Sequence, residues 1–98
     1  MIEEGIHING IYEHYKEKHL YKVKGIAYHA GLSAPVVIYE GCTPNGIFRA
    51  IRKYSEDGNT VTYVKQPFYR DLEDFVSNVV GGYPNNPAIP RFKYIKTL

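Results

Sequence analysis

Tyr12, His14 and Lys16 alternate within a stretch rich in β-forming residues, Ile11 to Lys16. On a strand, alternate side chains leave the same face, so a phenol, an imidazole and an ammonium would stand in one row. That row suits an anionic or aromatic ligand. Far along the chain, Arg91 offers a planar guanidinium fork that matches phosphate or carboxylate. Tyr12, His14, Lys16 and Arg91 are therefore the candidate ligand-binding residues. The plainer alternative is that Tyr12 and His14 are half-buried sheet residues and Lys16 is a solvated charge. An imidazole near its ordinary pKa also keeps a general-base role open for His14 or His29.

Lys16, Lys18, Lys22 and Lys24 are opposed only by Glu17 and interleave with Tyr15, Tyr21 and Tyr28. Charges for phosphates and rings for stacked bases are the composition of a nucleic-acid face. Lysines on an edge hairpin also guard against edge-to-edge aggregation, the simpler explanation. The acidic residues Asp71, Glu73 and Asp74 lie together much later, so charge is segregated although the formal net charge is only +2. A net charge that small does not by itself mark a nucleic-acid binder.

Other chemistries find less support. His7, His14, His19 and His29 match no zinc spacing, and Cys42, the single cysteine, has no Cys-x-x-Cys partner, so no metal and no cofactor is expected. Nucleophilic catalysis would need Cys42 beside a histidine and a third, orienting group, and a lone cysteine is more often a small hydrophobe. Glu73 and Asp74 open a helical pattern, where the macrodipole favours negative charge without any catalysis. Gly81 and Gly82 follow that pattern, whereas phosphate-cradling glycines precede a helix.

The elements that must position these residues follow from periodicity. Tyr21, Val23, Gly25 and Ala27 alternate with Lys22, Lys24, Ile26 and Tyr28, the pattern of a strand buried on one face, paired with the Ile11–Lys16 strand in a hairpin. Gly25, with no side chain to pack, marks a bulge or bend. Val36 to Tyr39 is a short apolar run fit for a central strand. Thr43 and Pro44 open a pattern, Ile47, Phe48, Ile51 and Tyr54, that favours a short helix ending at Asp57 and Gly58, while the same residues have the alternative of a hairpin with Thr60 to Lys65. Asp71 is placed to cap a second helix, with Leu72, Phe75, Val76 and Val79 on one face as a lid. Tyr83 to Pro90, with three prolines, reads as an irregular loop, and Arg91 to Ile95 as a last strand. Residues 1–9 carry no period and read as a lead-in to a single domain over 10–98.

Composition agrees with one small folded unit. The chain has 98 residues, 44% of them hydrophobic and 22% charged, which is globular and too short for two cores. Ten tyrosines and four phenylalanines without a tryptophan favour strands. One cysteine, no signal-peptide pattern and no apolar run of membrane-spanning length imply a reducing, cytoplasmic setting and no membrane insertion.

Taken together, Gly10, Tyr12, His14, Tyr15, Lys16, then Tyr21, Val23, Gly25, Ala27, His29, then Val36, Val37, Tyr39, and last Pro90, Arg91, Phe92 form a pattern that resembles the domain-of-unknown-function family 1653. The resemblance runs from Gly10 to Ile95 and implies a small, mainly bacterial protein with an SH3-type β-roll and no assigned activity. Glu17 stands where members commonly carry glycine, and Tyr63 to Pro67 stands for a Trp-Val-Arg-Pro stretch. Cys42 to Asn59 is longer than its counterpart and matches nothing in it.

The fold expected is mainly β, a small SH3-like barrel or roll of about five strands with one or two short helices. The function expected is a non-enzymatic binding module for an anionic small molecule or a nucleic acid. The alternatives are an enzyme or enzyme accessory using His14 or His29, and a protein-interaction module that pairs a sheet edge with a partner strand or forms a homodimer.

Overall fold

The computed structural model describes residues 1–80 and 88–98, and in chain order these form β1 (Ile2–Glu3), β2 (Ile6–His7), β3 (Gly10–His14), β4 (Leu20–His29), β5 (Ala34–Gly41), β6 (Ile51–Tyr54), β7 (Val61–Val64), β8 (Phe68–Asp71), α1 (Leu72–Phe75), β9 (Asn78–Val80), β10 (Ala88–Pro90) and β11 (Phe92–Thr97). Five strands make one antiparallel sheet in the order β11-β3-β4-β5-β8. Three two-stranded ribbons surround it, β1-β2, β6-β7 and β9-β10. The protein is thus mainly β. The barrel expectation needs correcting in one respect: among the described residues no ladder joins β8 to β11, so the sheet is not closed into a barrel. Between β5 and β8 the chain leaves to build the β6-β7 ribbon, and β8 has only four residues with which to return.

The core lies on one face of the sheet. Tyr12, Tyr21, Val23, Val37, Tyr39 and Phe92 from the sheet meet Phe75 from α1, Ile6 from β2 and Ile51 from β6. Phe75 stacks on Phe92 with centroids 4.2 Å apart, and Tyr39 stacks on Phe68 at 5.6 Å. Val36 to Tyr39 is indeed a central strand, with β4 on one side and β8 on the other.

Along β4 the alternation holds only halfway. Tyr21 and Val23 are buried, but the register against β5 slips between Val23, opposite Tyr39, and Gly25, opposite Ile38. Lys24 is the extra residue of this bulge. Beyond it the phase is reversed, so Ile26 packs against the core where Ala27 is expected. A Cβ on Gly25 would meet nothing within 4 Å, so this glycine eases the bend rather than making room for a neighbour.

Residues 1–9 form a tight hairpin rather than a formless lead-in. Glu4 and Gly5 both take positive φ, 52° and 77°, the two-residue turn whose twist matches that of paired strands. That turn delivers Ile6, 2% exposed, into the core.

Both expected helices are corrected. The first is absent, and its residues take the alternative: Ile51–Tyr54 pairs with Val61–Val64. Gly41 permits this return, because a Cβ there would collide with the Arg49 carbonyl oxygen and with Ile51 at 2.6 Å. The second is a single turn, Leu72–Phe75. Asp71 precedes it without a side-chain capping bond. Ser77 Oγ donates to the Asp74 carbonyl at 2.6 Å, a local bond that competes with helix continuation, and Val79 joins β9 instead. Of the expected irregular loop, 88–90 is strand β10, and the remainder lies outside the described residues, as do Gly81 and Gly82. Among the described residues no helix is long and apolar enough to cross a membrane.

Candidate functional site

Tyr12, His14, Lys16 and Arg91 are not brought together as a set. Tyr12 is 5% exposed inside the core, where its hydroxyl accepts a bond from the His7 backbone N–H at 3.1 Å and burial raises its pKa. Lys16 sits at the β3-β4 turn, exposed. His14 and Arg91 come from neighbouring positions of one ladder. Phe92 lies opposite His14 in the β3-β11 ladder, and the Tyr15 N–H donates to the Arg91 carbonyl at 3.0 Å.

Around that pair the fold adds residues that sequence reasoning missed. Arg70, on β8, donates through Nη1 to Asp74 at 2.6 Å and through Nε to the Tyr39 hydroxyl at 3.3 Å. Its guanidinium carbon stands 5.5 Å from the centre of the Phe92 ring, against whose edge His14 also packs at 5.1 Å. Arg91 donates through Nε to Ser77 Oγ at 3.1 Å, lies 3.8 Å from the second Asp74 oxygen, and stands 6.0 Å from the Tyr15 ring centre. Lys53, on β6, approaches the Phe68 ring at 5.4 Å and has no carboxylate partner among the described residues. Three cations thus share this end of the sheet, and among the described residues the carboxylate that pairs with any of them is that of Asp74.

His14 responds to that setting. Burial holds its pKa below the ordinary value, Arg70, Lys53 and Arg91 push the same way, and only Glu17 opposes them. Its Nδ1 accepts the Lys16 backbone N–H at 3.3 Å, which assigns the neutral ring's proton to Nε2. A neutral ring in that tautomer is a hydrogen-bond donor rather than a base. His29 is similarly engaged, with Nδ1 accepting the Leu32 N–H at 3.2 Å.

A recess of about 260 Å³ opens on the other side of the β3-β4 turn. Lys18, His19, Arg49, Arg52 and Tyr63 line it, with Cys42 also contributing, and no carboxylate does. Cys42 is 3% exposed, and burial raises its thiol pKa, so little reactive thiolate forms. His19 Nδ1 is buried; it lies 3.3 Å from a Glu17 oxygen but without hydrogen-bonding geometry.

The four lysines of the first hairpin differ in their surroundings. Lys24 pairs with Glu40 at 3.6 Å, Lys22 is half-buried, and Lys16 and Lys18 belong to the turn. Among the described residues no three of His, Cys, Asp and Glu gather closely enough to hold a metal ion.

A family model described as "Protein of unknown function (DUF1653)" matches residues 10–94. Comparison with curated proteins gives no match, and comparison with solved structures gives none.

Proposed function

The chain belongs to the DUF1653 family, and from that premise we propose that it is a non-enzymatic recognition module whose ligand is anionic. His14 and Arg91, with Lys53 and Arg70 beside them, form the binding end; Tyr12 supports it from the core and Lys16 from the turn. The observation that carries this reading is the excess of cations there: among the described residues, Lys53, Arg70 and Arg91 stand against the bridging carboxylate of Asp74, with Glu17 acting on His14 from the turn. Arg91 is anchored through Nε and its backbone, and among the described residues its two terminal amino groups make no bond within the protein. Those are the donors that meet a phosphate or carboxylate in pairs. His14 adds an Nε2–H donor.

The same proposal takes the five-stranded sheet with Phe75 against it for the SH3-type roll of a bacterial protein. It also places the module in a reducing cytoplasm, which a lone, buried, unpaired Cys42 supports.

Titration with inorganic phosphate and pyrophosphate, followed by backbone amide shifts, tests it. Shifts should concentrate at residues 14–16, 53, 70 and 91, and Lys53→Ala combined with Arg91→Ala should weaken binding about tenfold or more, each charged hydrogen bond being worth roughly 1.5–3 kcal/mol. Unchanged binding by that pair, or shifts scattered over the surface, removes the proposal.

A further inference from the structure

We propose that the anionic ligand is a single-stranded nucleic acid, stacked on the exposed tyrosines of the β6-β7 ribbon with its phosphates in the Lys18–Arg49–Arg52 recess. This rests on the anion-binding reading above and names the ligand class.

The ribbon has the required chemistry on one face. The register Arg52↔Tyr63 and Tyr54↔Val61 puts these four side chains on the same side, with Tyr54 and Tyr63 as diagonal neighbours. Tyr54 is 59% exposed and Tyr63 60% exposed, so among the described residues neither ring is buried. Arg52 fixes one of them, donating to the Tyr54 hydroxyl at 3.2 Å with its guanidinium carbon 5.9 Å from the ring centre. Rings held open beside a guanidinium are the stacking platform that single strands use, because every base has a flat face.

The recess supplies the other half. Its lining carries three cations and no carboxylate, and Tyr63 lies on its rim. It is not a pocket closed round one small ion, because the ribbon's own face leads straight out of it.

Two basic clusters flank one strand. Arg52 belongs to the recess, while its neighbour Lys53 turns to the opposite face, toward Phe68 and the Arg70–Arg91 end. A single phosphate fills one cluster. A chain of phosphates reaches both. Glu56 and Asp57 sit beyond, in the ribbon's end turn, where Asp57 is engaged by Ser55 and the Asn59 N–H, so the charge pattern keeps a polyanion at the ribbon's base. An acidic peptide would satisfy the cations but would not need Tyr54 and Tyr63 uncovered.

Fluorescence anisotropy with labelled dT10 and U10 at low salt, against dT2, pyrophosphate and polyglutamate as competitors, tests this in the full chain. The decamers should bind at least tenfold tighter than dT2. Tyr63→Ala and Tyr54→Ala, both at exposed positions, should each weaken decamer binding about 5- to 150-fold without affecting pyrophosphate. Arg49→Gln with Arg52→Gln should flatten the slope of log K against log salt by about 0.7 for each charge removed. Decamers that bind no better than pyrophosphate, tyrosine variants that bind as wild type, or polyglutamate competing as well as dT10 would overturn the nucleic-acid assignment. Pyrophosphate binding that still depends on Lys53 and Arg91 would leave the anion site standing, whereas no binding of any anion would remove both.

Discussion

The sheet face and the β6-β7 ribbon are built from the same kinds of residue, tyrosines and branched aliphatics among lysines and arginines, yet they treat their rings in opposite ways. On the sheet, Tyr12, Tyr21, Tyr39 and Phe92, with Phe75 of α1 against them, are each below 10% exposure, and the contacting rings have centroids 4.2 to 5.9 Å apart. On the ribbon, Tyr54 and Tyr63 are more than half exposed, and only Ile51 is buried. The difference is a covering layer. Phe75 from α1 and Ile6 from β2 close over the sheet, whereas among the described residues none buries Tyr54 or Tyr63 on the outer face of the ribbon. Whether an aromatic ring serves stability or recognition is decided here by topology rather than by residue type. A two-stranded ribbon is marginal by itself, so this one depends on the anchor that Ile51 sets in the core.

The comparison is most easily broken by removing rings. Phe75→Ala should cost about 3–5 kcal/mol, while Tyr63→Ala should stay within about 0.5 kcal/mol, both read from urea unfolding. Equal costs would mean that the ribbon's ring is packed after all. The joint between the two regions should show an intermediate effect. Gly41→Ala places a methyl group against the Arg49 carbonyl and Ile51, and the resulting shift should cost about 1–3 kcal/mol, with amide exchange fastest in β6 and β7. Uniform loosening of the whole chain would deny that Gly41 is the hinge point.

The smallest effect is one of pH. His14 has a folded pKa depressed below its ordinary 6.5, so the unfolded chain takes up the proton first. Stability should therefore fall as pH drops below about 6.5 and level off once the folded imidazole is charged too. His14→Gln should flatten that part of the profile relative to wild type in thermal melts from pH 7.5 to 5. An unchanged profile would show that His14 is not set in the desolvated, cationic end described above.

The central hairpin was legible because its pattern is local: β-formers at period two around a polar turn yield β3 and β4, and a bare apolar run yields β5. The bulge was legible at Gly25, but the phase reversal beyond it, which turns Ile26 rather than Ala27 to the core, was not, since hydropathy carries no register. Helical spacing at Leu72, Phe75, Val76 and Val79 is a coincidence that the Ser77 hydroxyl resolves by bonding the Asp74 carbonyl. In the candidate site, His14 and Arg91 carried readable chemistry. Arg70 stands alone in a four-residue strand and reaches them only through a non-local ladder, which no spacing rule reports. Arg49, Arg52, Lys53 and Tyr54 did leave a signal, a basic run ending in an aromatic, but it lay in the segment assigned to a helix.

Because β3 takes β11 as its sheet neighbour, and Ile6 and Phe92 enter the same core, a growing chain cannot complete this fold until β11 has been made. Until then β3 has one side unpaired and Tyr12 lacks part of its cover. Such a fold should form at the slower pace of structures whose contacts join distant stretches of sequence.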